Sequence, residues 1–160
     1  MDELEVDYRL AAYCVVRDDD GRVLLARWNE VAEPLWAVPG GGVELEEDFP
    51  EAAVREVREE TGYRVELVRL LGAAAVYIPG EDRVDPLRHG VPGKAARVVY
   101  EARVLGGELT AEVGGSTDEA RWFAPAEVGA LPRVALVDTA LRLAGIEVGG
   151  GPDDVRPRGV

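Results

Sequence analysis

The sequence predicts an α/β (α+β) domain in which a mixed β-sheet lies between helices. Three observations predict it. β-rich segments fall before, between and after two helical segments, the first helix carries its own start and stop signals, and a glycine run leads from a strand toward that helix. Residues 8–17 and 22–28 read as strands, the second alternating around Val23-Leu24-Leu25. Asp18-Asp19-Asp20-Gly21 between them has the chemistry of a tight turn, so the pair reads as a hairpin. A loop through Pro34 leads to a short strand at 35–38 and then to Pro39-Gly40-Gly41-Gly42. That run is open to backbone conformations closed to other residues, and it allows close approach by a ligand or another strand. Residues 49–61 form the best helix candidate: Asp48 caps it, Glu51 completes a capping box, Pro50 is tolerated in the first turn, and Gly62 stops it. Phe49, Ala53 and Val57 recur at a spacing of four and give it a narrow apolar face.

Residues 65–78 read as extended, with a break at Gly72, and 79–93 as a polar loop containing Pro86, Pro92 and the lone His89. Residues 95–105, Gly106-Gly107 and 108–113 read as a second hairpin. A short strand at 121–123 and a helix at 134–144 complete one domain over residues 1–148. The stretch 149–160 is rich in Gly, Pro and charge and is expected to be a disordered tail.

Composition narrows the function. Hydrophobic residues make up 47% and charged residues 31%, ordinary for a soluble globular chain. The apolar runs at 10–16 and 70–78 are too short to span a bilayer. The N-terminus is acidic where a signal peptide would be basic, so no export signal is expected. Cys14, the one cysteine, excludes an internal disulfide and a cysteine metal cluster, and the natural reading is a reducing cytoplasm. With 18 basic and 31 acidic residues the net charge is −13, which opposes direct binding of a nucleic-acid backbone. Much of that charge serves solubility, yet an acidic protein still takes phosphates when divalent cations stand between.

Specific chemistry begins at Arg55-Glu56-Val57-Arg58-Glu59-Glu60-Thr61-Gly62. At about 100° per residue, Glu56, Glu59 and Glu60 fall within one arc of the helix and repel one another. A Glu/Arg-rich helix is commonly just a solvated face; here it follows a glycine-rich turn and a loop containing Glu47. Hard oxygen ligands of this kind suit Mg²⁺, with Mn²⁺ a substitute.

Gly41, five residues, Glu47, seven residues, then Arg55-Glu56-Val57-x-Glu59-Glu60-x-Gly62 resembles the Nudix box at every fixed position. The one departure is Tyr63, where the box expects an aliphatic residue. The approach Leu35-Trp36-Ala37-Val38-Pro39-Gly40-Gly41-Gly42 and the late Arg121-Trp122-Phe123 are also similar to the family. The resemblance implies a Nudix-like α/β/α sandwich and attack of a metal-activated water on a diphosphate. It implies that Glu56, Glu59 and Glu60 ligate Mg²⁺, that Glu59 or another carboxylate accepts the proton, and that Arg55 holds a box glutamate. Glu47 would support the loop or a metal, and Gly41 and Gly42 would face the substrate.

Members often add a carboxylate from outside the box. Glu101, in an otherwise apolar strand, is the first candidate for a further metal ligand, and Glu119 the second. Arg27 resembles a position that touches substrate phosphate, though an exposed strand-end arginine explains it equally well. Trp28, Trp36 and Tyr77 are candidates to stack on a base, with Trp36 favoured for the core. His89 is a minor candidate for general base, and Cys14 reads as a small buried hydrophobe. Pro79, sixteen residues beyond Tyr63, resembles a marker of ADP-ribose pyrophosphatases in the family. The expected substrate is therefore a small nucleoside diphosphate derivative, ADP-ribose or a nucleotide sugar first and a nucleoside triphosphate next. Partners expected are that substrate, no nucleic acid, no membrane, and a second copy as a possible homodimer. The alternatives are a non-catalytic Nudix-fold nucleotide-binding module and, lower, isopentenyl diphosphate isomerisation, for which Cys14 is badly placed.

Overall fold

A computed structural model describes residues 5–149. Seven strands, β1 (Asp7–Val16), β2 (Val23–Trp28), β3 (Leu35–Ala37), β4 (Gly40–Gly42), β5 (Tyr63–Ile78), β6 (Gly93–Gly107) and β7 (Thr117–Phe123), are joined by helices α1 (Phe49–Thr61), α2 (Pro125–Val128) and α3 (Ala135–Leu143). The strands form a mixed four-stranded sheet, β4-β1-β6-β5, and an antiparallel three-stranded sheet, β3-β2-β7. Helices cover the two sides, so the predicted sandwich holds, with its sheet divided in two. The core is divided as well. Cys14, Val16, Leu24, Val65 and Ala102 pack under Ala52, Ala53 and Val57 of α1. Val15, Leu25, Val99 and Phe123 pack against Val137, Ala140 and Leu141 of α3.

The predicted helix and the observed α1 share both ends, because both ends are set locally. Asp48 accepts from the Phe49 N–H at 2.7 Å, and Gly62, at φ 78°, donates its N–H to Arg58 O at 2.9 Å. Asp48 caps by this bond rather than through the expected box with Glu51. The glycine run does approach another strand: β4 pairs antiparallel with β1, Gly40 opposite Tyr13 and Gly42 opposite Ala11.

Two hairpins are corrected. Residues 18–22 do turn back, with Asp18 accepting from the N–H groups of Asp20 and Arg22. After a single Arg17–Val23 bridge, however, β1 and β2 part into different sheets. β1 is buried on both faces from Ala11 on and takes β4 and β6 as its neighbours, while β2 takes β3 and β7. Residues 108–113 form no strand, because β6 already has β1 on one edge and β5 on the other. The expected break at Gly72 is a register shift in β5 between Leu70 and Gly72. The polar loop at 79–93 contains two short 3₁₀ turns, Gly80–Asp82 and Pro86–Arg88, and α2 is a helix with no counterpart in the sequence reading. The expected tail at 149–160 lies, Gly149 aside, outside the described residues. Among those residues no helix is long and apolar enough to cross a membrane.

Candidate active site

α1 lays its charged face against the glycine strand. Arg55 is the organiser: its Nε and one terminal nitrogen bind both oxygens of Glu47 at 2.7 and 2.9 Å. The same guanidinium donates to Gly42 O at 3.0 Å, Glu56 at 3.0 Å and Glu59 at 3.2 Å. The fork with Arg55 pulls the Glu47 carboxyl down to about 2, and Glu47 in turn holds the Arg55 proton more firmly. Glu47 also accepts from the Glu44 N–H, so it supports the loop as the box resemblance implies.

Glu60 is the most buried acid of the site, at 5% exposure, and accepts from the Gly40 N–H at 3.1 Å. Burial pushes its carboxyl well above the usual range, and the neighbouring charge of Glu56 adds to this. Burial raises Glu56 too, against the pull of Arg55. Glu56 sits where a side chain on Gly41 would be: a Cβ there would stand 2.6 Å from Glu56 Oε1. Glu59 is the exposed member of the three. Among the described residues no three acidic, imidazole or thiol groups converge on one point. Arg55 bridges Glu56 and Glu59, while Glu60 is turned in toward the Gly40 N–H.

A cleft of about 750 Å³ opens beside Glu56 and Glu60 and the three glycines of β4. Its remaining walls include Arg9 and Tyr13 of β1, Trp28, Arg97 of β6, and Asp82 to Pro86 of the long loop. Arg83 pins that loop to the start of β1 through Asp7 at 2.6 Å.

The structure does not bring Glu101 to this site. The strand register puts it opposite Val15, on the face that packs toward α3, where it pairs with Arg69 at 2.6 Å and Arg17 at 3.8 Å. Arg27 and Glu119 are also engaged elsewhere: Arg27 binds Asp118 at 2.8 Å and Glu119 at 3.1 Å, and Glu119 binds Arg121. None of these three lines the cleft. His89 and Tyr77 are exposed and lie outside it. Trp36 is core, edge-on to Phe123 with ring centres 4.8 Å apart, whereas Trp28 does reach the cleft. Cys14 is fully buried and its thiol is pushed up to about 12, chiefly by burial, so it is no nucleophile.

Glu112 is the acid that the sequence reading missed. It sits in the loop between β6 and β7, accepts from Thr117 Oγ1 at 2.8 Å, and its charge is felt by both Glu56 and Glu60. The absence of a side chain at Gly115 leaves room for its carboxylate. Gly114-Gly115 was the available signal, since two glycines favour a loop over a strand there.

Arg55→Lys is expected to lower turnover about 10- to 100-fold, because an ammonium cannot reproduce the fork that orients the box carboxylates. It also tests the acid limb of stability. The depressed Glu47 carboxyl stabilises the fold above its ordinary value of 4.5, and that contribution is lost as the pH falls toward about 2. Melting curves above and below that ordinary value should show the wild type losing more of its advantage over Arg55→Lys as the pH drops.

The buried Glu60, its neighbour Glu56 and a glycine strand thus share one polar cleft on a sandwich fold. Residues 7–143 match the profile described as NUDIX domain, and the chain belongs to that family. It is 35% identical over 121 residues to a Methanocaldococcus jannaschii protein named ADP-ribose pyrophosphatase, an overlap of 76% of this chain and 63% of that one. The chain thus spans less than two thirds of that relative, and 42% and 43% of the next two curated relatives it matches. Among solved structures, a NUDIX hydrolase from Nitrosomonas europaea superimposes with a TM-score of 0.69 at 21% identity, covering 89% of this chain and 93% of that one. A MutT NUDIX hydrolase from Burkholderia pseudomallei gives 0.67 at 25% identity, covering 86% and 98%.

Proposed function

We propose that this protein is a Mg²⁺-dependent hydrolase that cleaves the diphosphate linkage of a nucleoside diphosphate derivative, with ADP-ribose or a nucleotide sugar ahead of nucleoside triphosphates. The observation that carries this reading is the buried Glu60 beside Glu56, both opening into a cleft of about 750 Å³. That volume suits a nucleotide-sized ligand. Support for the substrate class comes from the relative named ADP-ribose pyrophosphatase and from Pro79, which ends β5 and begins the loop that walls the cleft.

The donors fit a hard divalent cation. Glu56, Glu59 and Glu60 supply oxygens only, and the space that a Cβ at Gly41 would fill keeps the Glu56 carboxylate close under the strand. Neighbouring carboxylates that do not close a cage match an ion that keeps several of its waters. When bound, Mg²⁺ or Mn²⁺ supplies Lewis-acid polarisation of the phosphoryl oxygens and lowers the pKa of water. The protein's own part is to orient and to take a proton. Water oxygen bonds to one phosphorus, the bridging P–O bond breaks, and the water proton passes to a carboxylate, Glu59 or Glu112. Arg55 and Glu47 keep Glu56 and Glu59 in place, and Trp28 and Tyr13 offer aromatic faces to a base. The reading places one domain over residues 1–148 in a reducing cytoplasm, acting without nucleic acid or membrane, as a monomer or homodimer.

The test is phosphate release from ADP-ribose, nucleotide sugars, dinucleoside polyphosphates and nucleoside triphosphates, with Mg²⁺ and with chelator, using coupling enzymes suited to each product. Turnover of ADP-ribose or a nucleotide sugar, abolished by chelator, is expected. Silence across the panel from folded protein would replace the hydrolase with a nucleotide-binding module.

A further inference from the structure

Among the described residues, two arginines in the cleft have no side-chain partner. β1 and β6 run parallel with Arg9 opposite Ala95 and Arg97 opposite Ala11, so Arg9 and Arg97 stand on the same face of the sheet, one pleat apart. Of the other cationic side chains nearby, Arg83 pairs with Asp7, and Arg55 with Glu47, Glu56 and Glu59. Lys94 also lines the cleft, but it is exposed and, opposite Tyr8, falls one residue out of phase with the arginine pair. Among the described residues no acid forms an ion pair with Arg9 or Arg97, although the Arg9 charge is felt by Asp7, which Arg83 already holds, and Arg97 Nε is buried without a hydrogen-bond partner. Burial weakens the hold of Arg97 on its proton, and the like charge of Arg9 weakens it further, against the influence of Tyr13. Such an arrangement in a chain of net charge −13 calls for an acceptor from outside.

The glycine strand places this pair relative to the acids. Successive residues of a strand point to opposite faces, and here Gly41 faces Glu56 while Gly42 faces Arg9. A side chain on Gly42 would stand 3.5 Å from a terminal nitrogen of Arg9. Carboxylates and guanidinia are therefore set on the two sides of one three-residue edge strand, and both line the same cleft.

We propose that Arg9 and Arg97 form an anion subsite that takes a phosphoryl group of the ligand on the sheet side of β4. The guanidinium fork matches phosphate oxygens, and a ligand lying across β4 presents one phosphate to the acids of α1 and another to the arginines. The subsite draws on the diphosphatase reading for the source of the phosphoryl group, but its existence is tested without turnover.

Inorganic phosphate and ADP are titrated into the protein in chelator, and melting temperature is followed for wild type, Arg9→Gln and Arg97→Gln. Both ligands are expected to stabilise the wild type, and each variant to bind about 10- to 100-fold more weakly. Arg9 is exposed, so Arg9→Gln decides the matter even if Arg97→Gln does not fold. No stabilisation of the wild type, or equal stabilisation of wild type and Arg9→Gln, overturns the subsite. With Mg²⁺ present, the KM of Arg9→Gln separates the two sources. A rise for nucleotide sugars and triphosphates alike assigns the diphosphate itself to the arginines; a rise for triphosphates alone assigns an additional phosphate. Phosphate binding that survives where no nucleotide is turned over would sink the hydrolase reading and leave the subsite standing.

Discussion

Glu60→Gln is expected to reduce Mg²⁺-dependent turnover by about 10³-fold, on the order of 4 kcal/mol of transition-state stabilisation, with the fold intact. Glutamine has nearly the same shape and keeps an oxygen for the Gly40 N–H, so the contact between α1 and β4 survives. What it loses is the charge. The same loss has the opposite sign for stability. The Glu60 carboxyl is held well above its ordinary value of 4.5, so the folded chain binds that proton more tightly than the unfolded chain. Its contribution to stability is therefore present below that ordinary value and is lost progressively as the pH rises from there toward the raised folded value, so at neutral pH the buried carboxyl already costs stability. In chelator at neutral pH, Glu60→Gln should melt above the wild type, and the gap should close in acid. Added Mg²⁺ should raise the wild type more than the variant. Unchanged turnover in Glu60→Gln would remove it from the site.

Gly41→Ala should cost about 10²-fold in turnover while moving stability by no more than about 1 kcal/mol. The new methyl would stand 2.6 Å from Glu56 Oε1 and 2.8 Å from Cδ, the end of a flexible side chain that gives way. The backbone is unaffected, but the carboxylate leaves its place by something near 1 Å, a displacement that costs about 10²-fold when reacting groups must be aligned. Gly40→Ala makes the contrast. There the methyl would meet Ala12 O and stand 2.6 Å from Tyr13 Cα, at a φ of 154° that side chains rarely adopt. Backbone cannot step aside as a carboxylate does, so β4 must detach from β1, at a cost of about 1–3 kcal/mol. Turnover and denaturant midpoint, measured on both variants, separate the two glycines. Full activity in Gly41→Ala would show that the position of Glu56 under the strand is irrelevant to the reaction.

Features set by neighbouring residues were legible in the sequence. Asp48 and Gly62 bound α1 because a cap and a left-handed stop act within one turn. The spacing of Glu47, Arg55, Glu56, Glu59 and Glu60 marked a cluster because helix period and a short loop bring those residues together with little help from the rest of the chain. The acidic turn at 18–22 was legible for the same reason. Strand partnership was not. Whether β2 continues the sheet of β1 depends on which strands compete for each edge. The doubly buried β1 found β4 and β6, which no pattern within residues 8–28 encodes.

The errors at the site have one origin. An acid in an apolar strand was reason to consider Glu101, but the register against β1 and β5 turned it toward Arg69 and Arg17. Residues 108–113 alternate like a strand, yet β6 had no free edge, and the loop left over carries Glu112 toward Glu56 and Glu60. Arg9 and Arg97 lie far apart in sequence and meet only because two parallel strands align them. The sequence by itself determined the helix, its acidic face and the glycine run that leads to it; pairing with β1 made that run a strand. Tertiary structure decided which other charges share the cleft, because the face a strand residue occupies is set by long-range pairing, and a shift of one residue reverses it.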